Sequence, residues 1–140
     1  MPRALLTPVD RPSGIIIYVD DLMKSCGFYE MLGFSWGRSG GSHAQFIVND
    51  FVIEIIEARG ELTEMLYDRA REKPRGNGIQ VRLPVSDPVG LNARLNAIGA
   101  RPGKIYHQPW GVIEFLIEDP DGYGFIFWAY SEAKGRLAAF

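Results

Sequence analysis

The chain has 140 residues, 46% hydrophobic and 23% charged, with a net charge of −2. That length suits one domain and buries enough surface for a core without disulfide or metal staples. The near-balanced charge gives no electrostatic footprint for nucleic acid or for an anionic membrane.

The single cysteine, Cys26, excludes an intramolecular disulfide and fits a reducing, cytoplasmic setting. No apolar run approaches the length of a membrane span. The opening MPRALLTPVDRPSG (1–14) has no apolar stretch long enough for a signal peptide and reads as an N-terminal arm. GIIIYVDD (14–21) is a β-branched run, hence a strand. A helix follows in DLMKSCGFYEMLG (21–33). Asp20 or Asp21 can cap it, Gly33 can end it, and Leu22, Phe28, Tyr29 and Leu32 fall at spacings that share one face. FSWGRSG (34–40) and SHAQFIVND (42–50) read as strands around a Gly40–Gly41 turn, with a tight turn at Asn49–Asp50 and a fourth strand in FVIEIIEARG (51–60). ELTEMLYDRAREK (61–73) reads as a helix, which PRGNG (74–78) breaks.

The second half repeats this order. IQVRLPVSD (79–87) is a strand, and PVGLNARLNAIG (88–99) is a helix with Pro88 in its first turn and Gly99 as its terminator. RPGKIYHQPWG (101–111) is a strand or loop region. VIEFLIEDP (112–120) and YGFIFWAY (123–130) are strands joined through Asp119–Gly122, and SEAKGRLAAF (131–140) is a tail. YVDDL…MLGF aligns with PVSDP…AIGA, with Gly33 matching Gly99. The expected fold is therefore α+β, with two βαβββ modules in a single domain covering residues 1–140. Module one spans about 13–60, a connecting helix about 61–73 and module two about 78–130, with a short C-terminal tail. Residues 74–78 read as a linker within the domain, because a half-chain alone would have a thin core.

VDDLMKSCGFYEMLGF (19–34) and QPWGVIEFLIEDPDGYGFIF (108–127) resemble the vicinal oxygen chelate superfamily, which includes glyoxalase I, extradiol dioxygenases, fosfomycin-resistance enzymes and bleomycin-resistance proteins. The resemblance runs roughly from Ser13 to Tyr130. It implies a curved mixed sheet around a cleft, helices on the outer face, and a second subunit completing the cleft, hence a homodimer. One such scaffold hosts many chemistries, so the site must be argued residue by residue.

Metal-dependent members of that superfamily place four ligands on cleft-facing strand positions, two per module. Alignment carries those positions onto Gly14, Glu54, Gln80 and Ile126. One carboxylate and one amide fall short of the three protein ligands of a catalytic zinc site and of the oxygen-rich shell of an octahedral ion. His43 and His107 have no partners at ligand spacing. No metal and no cofactor are expected.

Strand alternation fixes what shares the face of those positions. Ile16 and Tyr18 flank Gly14, Val52 and Ile56 flank Glu54, Arg82 follows Gln80, and Trp128 follows Ile126. The opposite parity (Ile15, Ile17, Val19, Val81, Leu83, Val85, Phe125, Phe127) is apolar and should pack under the helices. Glu114 joins the mixed face if Phe115 and Ile117 are core. Trp110 sits in the QPWG loop, which the resemblance places beside a ligand groove. The expected ligand-binding set is Tyr18, Glu54, Gln80, Arg82, Trp110, Glu114, Ile126 and Trp128. Arg82 either pairs with Glu54 or Glu114 and fills the vacated metal space, or orients a polar group of an aromatic ligand. Trp36 reads as core or interface, and Asp119 and Asp121 as turn formers.

The resemblance is closest to the metal-free bleomycin-resistance-like members. It implies non-catalytic binding or sequestration of a hydrophobic or aromatic small molecule in a dimer cleft, with no nucleic-acid or membrane partner. The alternative is a metal-dependent lyase, isomerase or dioxygenase with an atypical metal site, in which Glu54 would be ligand or general base. A third reading is dimerisation or partner binding around a vestigial cleft.

Overall fold

Burial alternates along strands in both halves of the chain: Ile17 and Val19 are buried where Ile16 and Tyr18 are not, and Phe125 and Phe127 where Ile126 and Trp128 are not. The computed structural model describes residues 10–58 and 75–131. The chain divides into two units, Met1–Glu72 and Lys73–Phe140. The helix expected over about 61–73, the N-terminal arm up to residue 9 and the tail beyond 131 lie outside the described residues.

The first unit contains β1 (Gly14–Val19), α1 (Leu22–Met31), β2 (Ser35–Gly40), β3 (His43–Val48) and β4 (Phe51–Glu57). Its sheet has the order β1-β4-β3-β2, with β1 parallel to β4 and the other pairs antiparallel. The second unit contains β5 (Gln80–Pro84), α2 (Pro88–Ala97), β6 (Tyr106–Gln108), β7 (Val112–Glu118) and β8 (Gly124–Tyr130). Its sheet has the order β5-β8-β7-β6, again with one parallel pair, β5 to β8. The fold is therefore α+β with a βαβββ repeat. RPGKIYHQPWG, expected as strand or loop, holds the three-residue strand β6.

Both helices begin as the sequence indicates. Asp21 caps α1 by accepting the Lys24 N–H at 3.1 Å, and Asp87 caps α2 by accepting the Gly90 N–H at 2.9 Å. Pro88 occupies the first turn of α2, where a missing N–H costs nothing. Both helices end before a glycine at positive φ, Gly33 at 86° and Gly99 at 78°, a conformation glycine adopts without steric cost.

One face of each sheet is a core. In the first unit Ile17, Val19, Phe46, Ile53 and Ile55 are buried, with Cys26 and Tyr29 of α1. Tyr29 and Phe46 lie 5.7 Å apart between ring centroids. Burial, with the Glu30 carboxylate adding to it, pushes the Cys26 thiol up from its ordinary pKa. In the second unit Phe115, Ile117, Phe125 and Phe127 are buried together with Leu95 of α2. Each such fully buried ring contributes about 1.5–3 kcal/mol relative to an exposed one. The opposite faces carry the polar and exposed residues. Ile56 departs from that parity: it shares a row with Tyr18 and His43, yet is fully buried. Among the described residues no helix is long and apolar enough to cross a membrane.

Candidate functional site

Register turns the open face of each sheet into rows of side chains. In the first unit Gly14, Val52 and Ile47 form one row across β1, β4 and β3, and Ile16, Glu54 and Gln45 form the next. In the second unit Gln80, Gly124 and Glu118 form one row across β5, β8 and β7. Arg82, Ile126 and Leu116 form the next, and Pro84, Trp128, Glu114 and Tyr106 the third. Gly14 thus stands where Gln80 stands, and Glu54 where Ile126 stands. The pairing expected from the sequence repeat is the pairing in the sheets.

The first-unit face is organised by two polar side chains. Gln45 Nε2 donates to Glu54 Oε2 at 2.6 Å. Gln45 Oε1 accepts the Arg38 backbone N–H at 3.4 Å. The two contacts agree on which way the amide points, because only its NH2 can face a carboxylate and only its oxygen an N–H. The second arises from a bulge: the β2–β3 register shifts between Trp36 and Ser39, so Gly37 and Arg38 together oppose Gln45. A cavity of about 370 Å³ opens here, lined by Gly14, Ile16, Gln45, Val52 and Glu54 among others. Tyr18 lies half-buried in the row beyond.

Gly14 shapes one end of that cavity. A Cβ built on it would overlap the carbonyl oxygen of Val52. No side chain, and hence no metal ligand, fits at this position while β1 and β4 stay paired as they are.

The second-unit face is aromatic and cationic. The Arg82 guanidinium lies over the Trp128 ring, 4.7 Å from its centroid. Tyr130 meets the same ring edge-on at 5.0 Å. Trp128 and Tyr130 border a cavity of about 540 Å³ with Pro84, Val85 and Ser86. Glu114 sits half-buried and accepts from Gln108 Nε2 at 3.0 Å. The expected condition for Glu114 on this face, burial of Phe115 and Ile117 on the other, is met. Trp110 is exposed in the turn between β6 and β7. Gln80 lines a further cavity of about 590 Å³ with Asn77, Leu116, Glu118 and Asp121.

The structure therefore brings Arg82, Ile126, Trp128 and Glu114 onto one face of the second sheet, and Glu54 onto the corresponding face of the first. Arg82 lies over Trp128, and Glu54 is bonded to Gln45. Gln45, Gln108 and Tyr130 were not singled out from the sequence. The signal for Gln45 was available: Ala44 and Phe46 are core, so the residue between them faces outward. Its bond to Glu54 depends on strand pairing, which parity does not specify.

Asp119 and Asp121 belong to the β7–β8 turn. Asp119 is buried, and one of its carboxylate oxygens accepts the N–H groups of both Asp121 and Tyr123 at 2.9 Å. Asp121 lies 3.8 Å from Arg75. Trp36 packs on Phe46 at 4.5 Å on the core side and donates Nε1–H to Glu30 at 2.6 Å.

The residues at the four metal-ligand positions do not fit a catalytic divalent ion. Gly14 has no room for a donor and Ile126 has none to offer, which leaves one carboxylate, Glu54, and one amide, Gln80. Among the described residues no three His, Cys, Asp or Glu side chains gather as a metal-binding group.

A family model described as "Glyoxalase/Bleomycin resistance protein/Dioxygenase superfamily" matches residues 11–127. Solved structures share the fold at low identity. A glyoxalase/bleomycin resistance protein/dioxygenase from Nocardioides has TM-score 0.74 and 22% identity, covering 93% of this chain and 91% of its own. Lactoylglutathione lyase from Agrobacterium tumefaciens has TM-score 0.67 and 18% identity, covering 96% and 100%. A bleomycin resistance determinant encoded on the transposon Tn5 has TM-score 0.65 and 17% identity, covering 89% and 99%. No curated protein matches the chain.

Proposed function

Because this chain belongs to the glyoxalase/bleomycin resistance protein/dioxygenase superfamily, we propose that it uses the scaffold to bind a small hydrophobic or aromatic molecule without a catalytic metal. The observation that carries this reading is the Arg82–Trp128–Tyr130 group beside its cavity of about 540 Å³. A large ring, its edge and a guanidinium on an open sheet face offer stacking area and a hydrogen-bond donor to a planar ligand. Cavities of this size suit small organic molecules. Gln80, Trp110, Glu114 and Ile126 complete the proposed contact set on the second unit, and Tyr18 and Glu54 are proposed as contacts on the first.

The same proposal has the protein act as a cytoplasmic homodimer. Tyr106, Trp110 and Tyr130 leave aromatic surface exposed on the second unit, as subunit contacts often do.

The test is calorimetric titration with a panel of planar aromatics and phenolics, on wild type and Trp128→Ala. Saturable binding of at least one compound, weakened tenfold or more in a folded Trp128→Ala protein, is expected. Failure of every compound, or a Trp128→Ala change confined to stability, overturns the reading. Near-stoichiometric divalent metal in protein purified without chelator would favour the lyase, isomerase or dioxygenase alternative.

A further inference from the structure

We propose that the first unit carries a subsite for a cationic nitrogen group, an ammonium or amidinium on an apolar body, recognised by the Glu54 carboxylate and held in aim by Gln45. This inference rests on the small-molecule reading and specifies the ligand's chemistry.

Four observations carry it. Glu54 is half-buried and lines the cavity of about 370 Å³. Among the described residues it receives one hydrogen bond, from Gln45, and no lysine or arginine pairs with it. A carboxylate has two oxygens and about four lone-pair sites, so most of its accepting capacity faces demand from elsewhere. The amide of Gln45 cannot turn to offer its oxygen to the cavity instead, because that oxygen is held by the Arg38 N–H from the β2 bulge. The acceptors at the polar end of the cavity are therefore the Glu54 oxygens, and the group complementary to them is a donor. A half-buried charge gains most from a charged partner, which argues for a cation over a neutral hydroxyl.

The rest of the cavity sets the body of the ligand. Ile16, half-exposed, and Val52 supply apolar walls. Gly14, which admits no side chain, keeps the end beside Val52 low. A cavity at the lower end of the small-molecule range fits a single ring or short alkyl group bearing the cation.

Gln45 is a positioning residue: it acts on the ligand through Glu54. Its removal should weaken a cationic ligand more than a neutral one of the same shape, an asymmetry that a purely structural role would not produce.

The experiment is isothermal titration with benzamidine, an amidinium on one ring, and with benzamide, its neutral counterpart. Wild type should bind benzamidine at least tenfold more tightly. The isosteric Glu54→Gln substitution should remove that preference, a loss of roughly ten- to a hundredfold for a charge-assisted contact, with a smaller loss for benzamide. Gln45→Ala should lower benzamidine affinity by a smaller factor than Glu54→Gln, and benzamide affinity by less again. Equal affinity of the two probes in wild type, or benzamidine binding untouched by Glu54→Gln, overturns the cation subsite while small-molecule binding itself stands. Failure of both probes also overturns the subsite. Binding of the aromatic panel, lost in Trp128→Ala, would then show that the broader reading survives.

Discussion

The middle rows of the two sheets occupy equivalent places and carry opposite chemistry. In the first unit the row is Ile16, Glu54, Gln45; in the second it is Arg82, Ile126, Leu116. Apolar stands against cationic on the parallel edge strand, acidic against apolar on the next strand, and amide against apolar on the third. The neighbouring row repeats the contrast, with Gly14 against Gln80. The repeated backbone determines where a side chain can stand, and leaves its charge to each half. The two β-turns before the last strands differ in the same way. Asn49 makes the first tight by adopting φ 54°, whereas the second is organised by the buried Asp119 carboxylate.

The largest effects should come where the units are alike. Phe46→Ala and Phe115→Ala each remove a buried ring from under a helix, and each should cost about 3–5 kcal/mol in urea unfolding. A loss under about 1 kcal/mol in one of them would mean that the two cores are not equivalent in packing.

The equivalent glycine and glutamine sharpen the contrast. Gly14→Ala forces a Cβ onto the Val52 carbonyl and should destabilise by about 1–3 kcal/mol. Gln80→Ala, at the matching exposed position, should stay within about 0.5 kcal/mol. Similar losses in the two variants would break the claim that β1 and β5 differ at this point.

The charged position of the second row should show a modest stability effect. Arg82→Ala removes a guanidinium from an exposed face of Trp128 and should cost about 0.5–1 kcal/mol. A shift in Trp128 fluorescence should accompany it. No fluorescence change would mean that the stacked geometry is not the one held in solution.

Strand and helix positions were legible because burial on one face imposes a period, and Asp21, Pro88, Gly33 and Gly99 mark helix ends by mechanisms that act within a few residues. The open-face parity of Glu54, Gln80, Arg82, Ile126 and Trp128 was legible for the same reason. The hydrogen-bonded partners were not. Gln45 and Glu54 are nine residues apart and meet because β3 and β4 pair in one register. Arg82 and Trp128 are far apart in sequence and meet because β5 lies parallel to β8. Ile56 escaped its expected exposure because burial within its row depends on neighbours that alternation does not specify.

By itself, then, the amino-acid order determined the repeat, the element types, the helix caps and the face on which each candidate residue lies, since these follow from periodicity and local backbone chemistry. Only the tertiary structure decided that Gly14 is closed to any side chain, that a bulge in β2 locks the Gln45 amide, and that Glu54 and Arg82 find an amide and an indole as neighbours. Those outcomes depend on strand register and close backbone approach, which arise when distant segments pair.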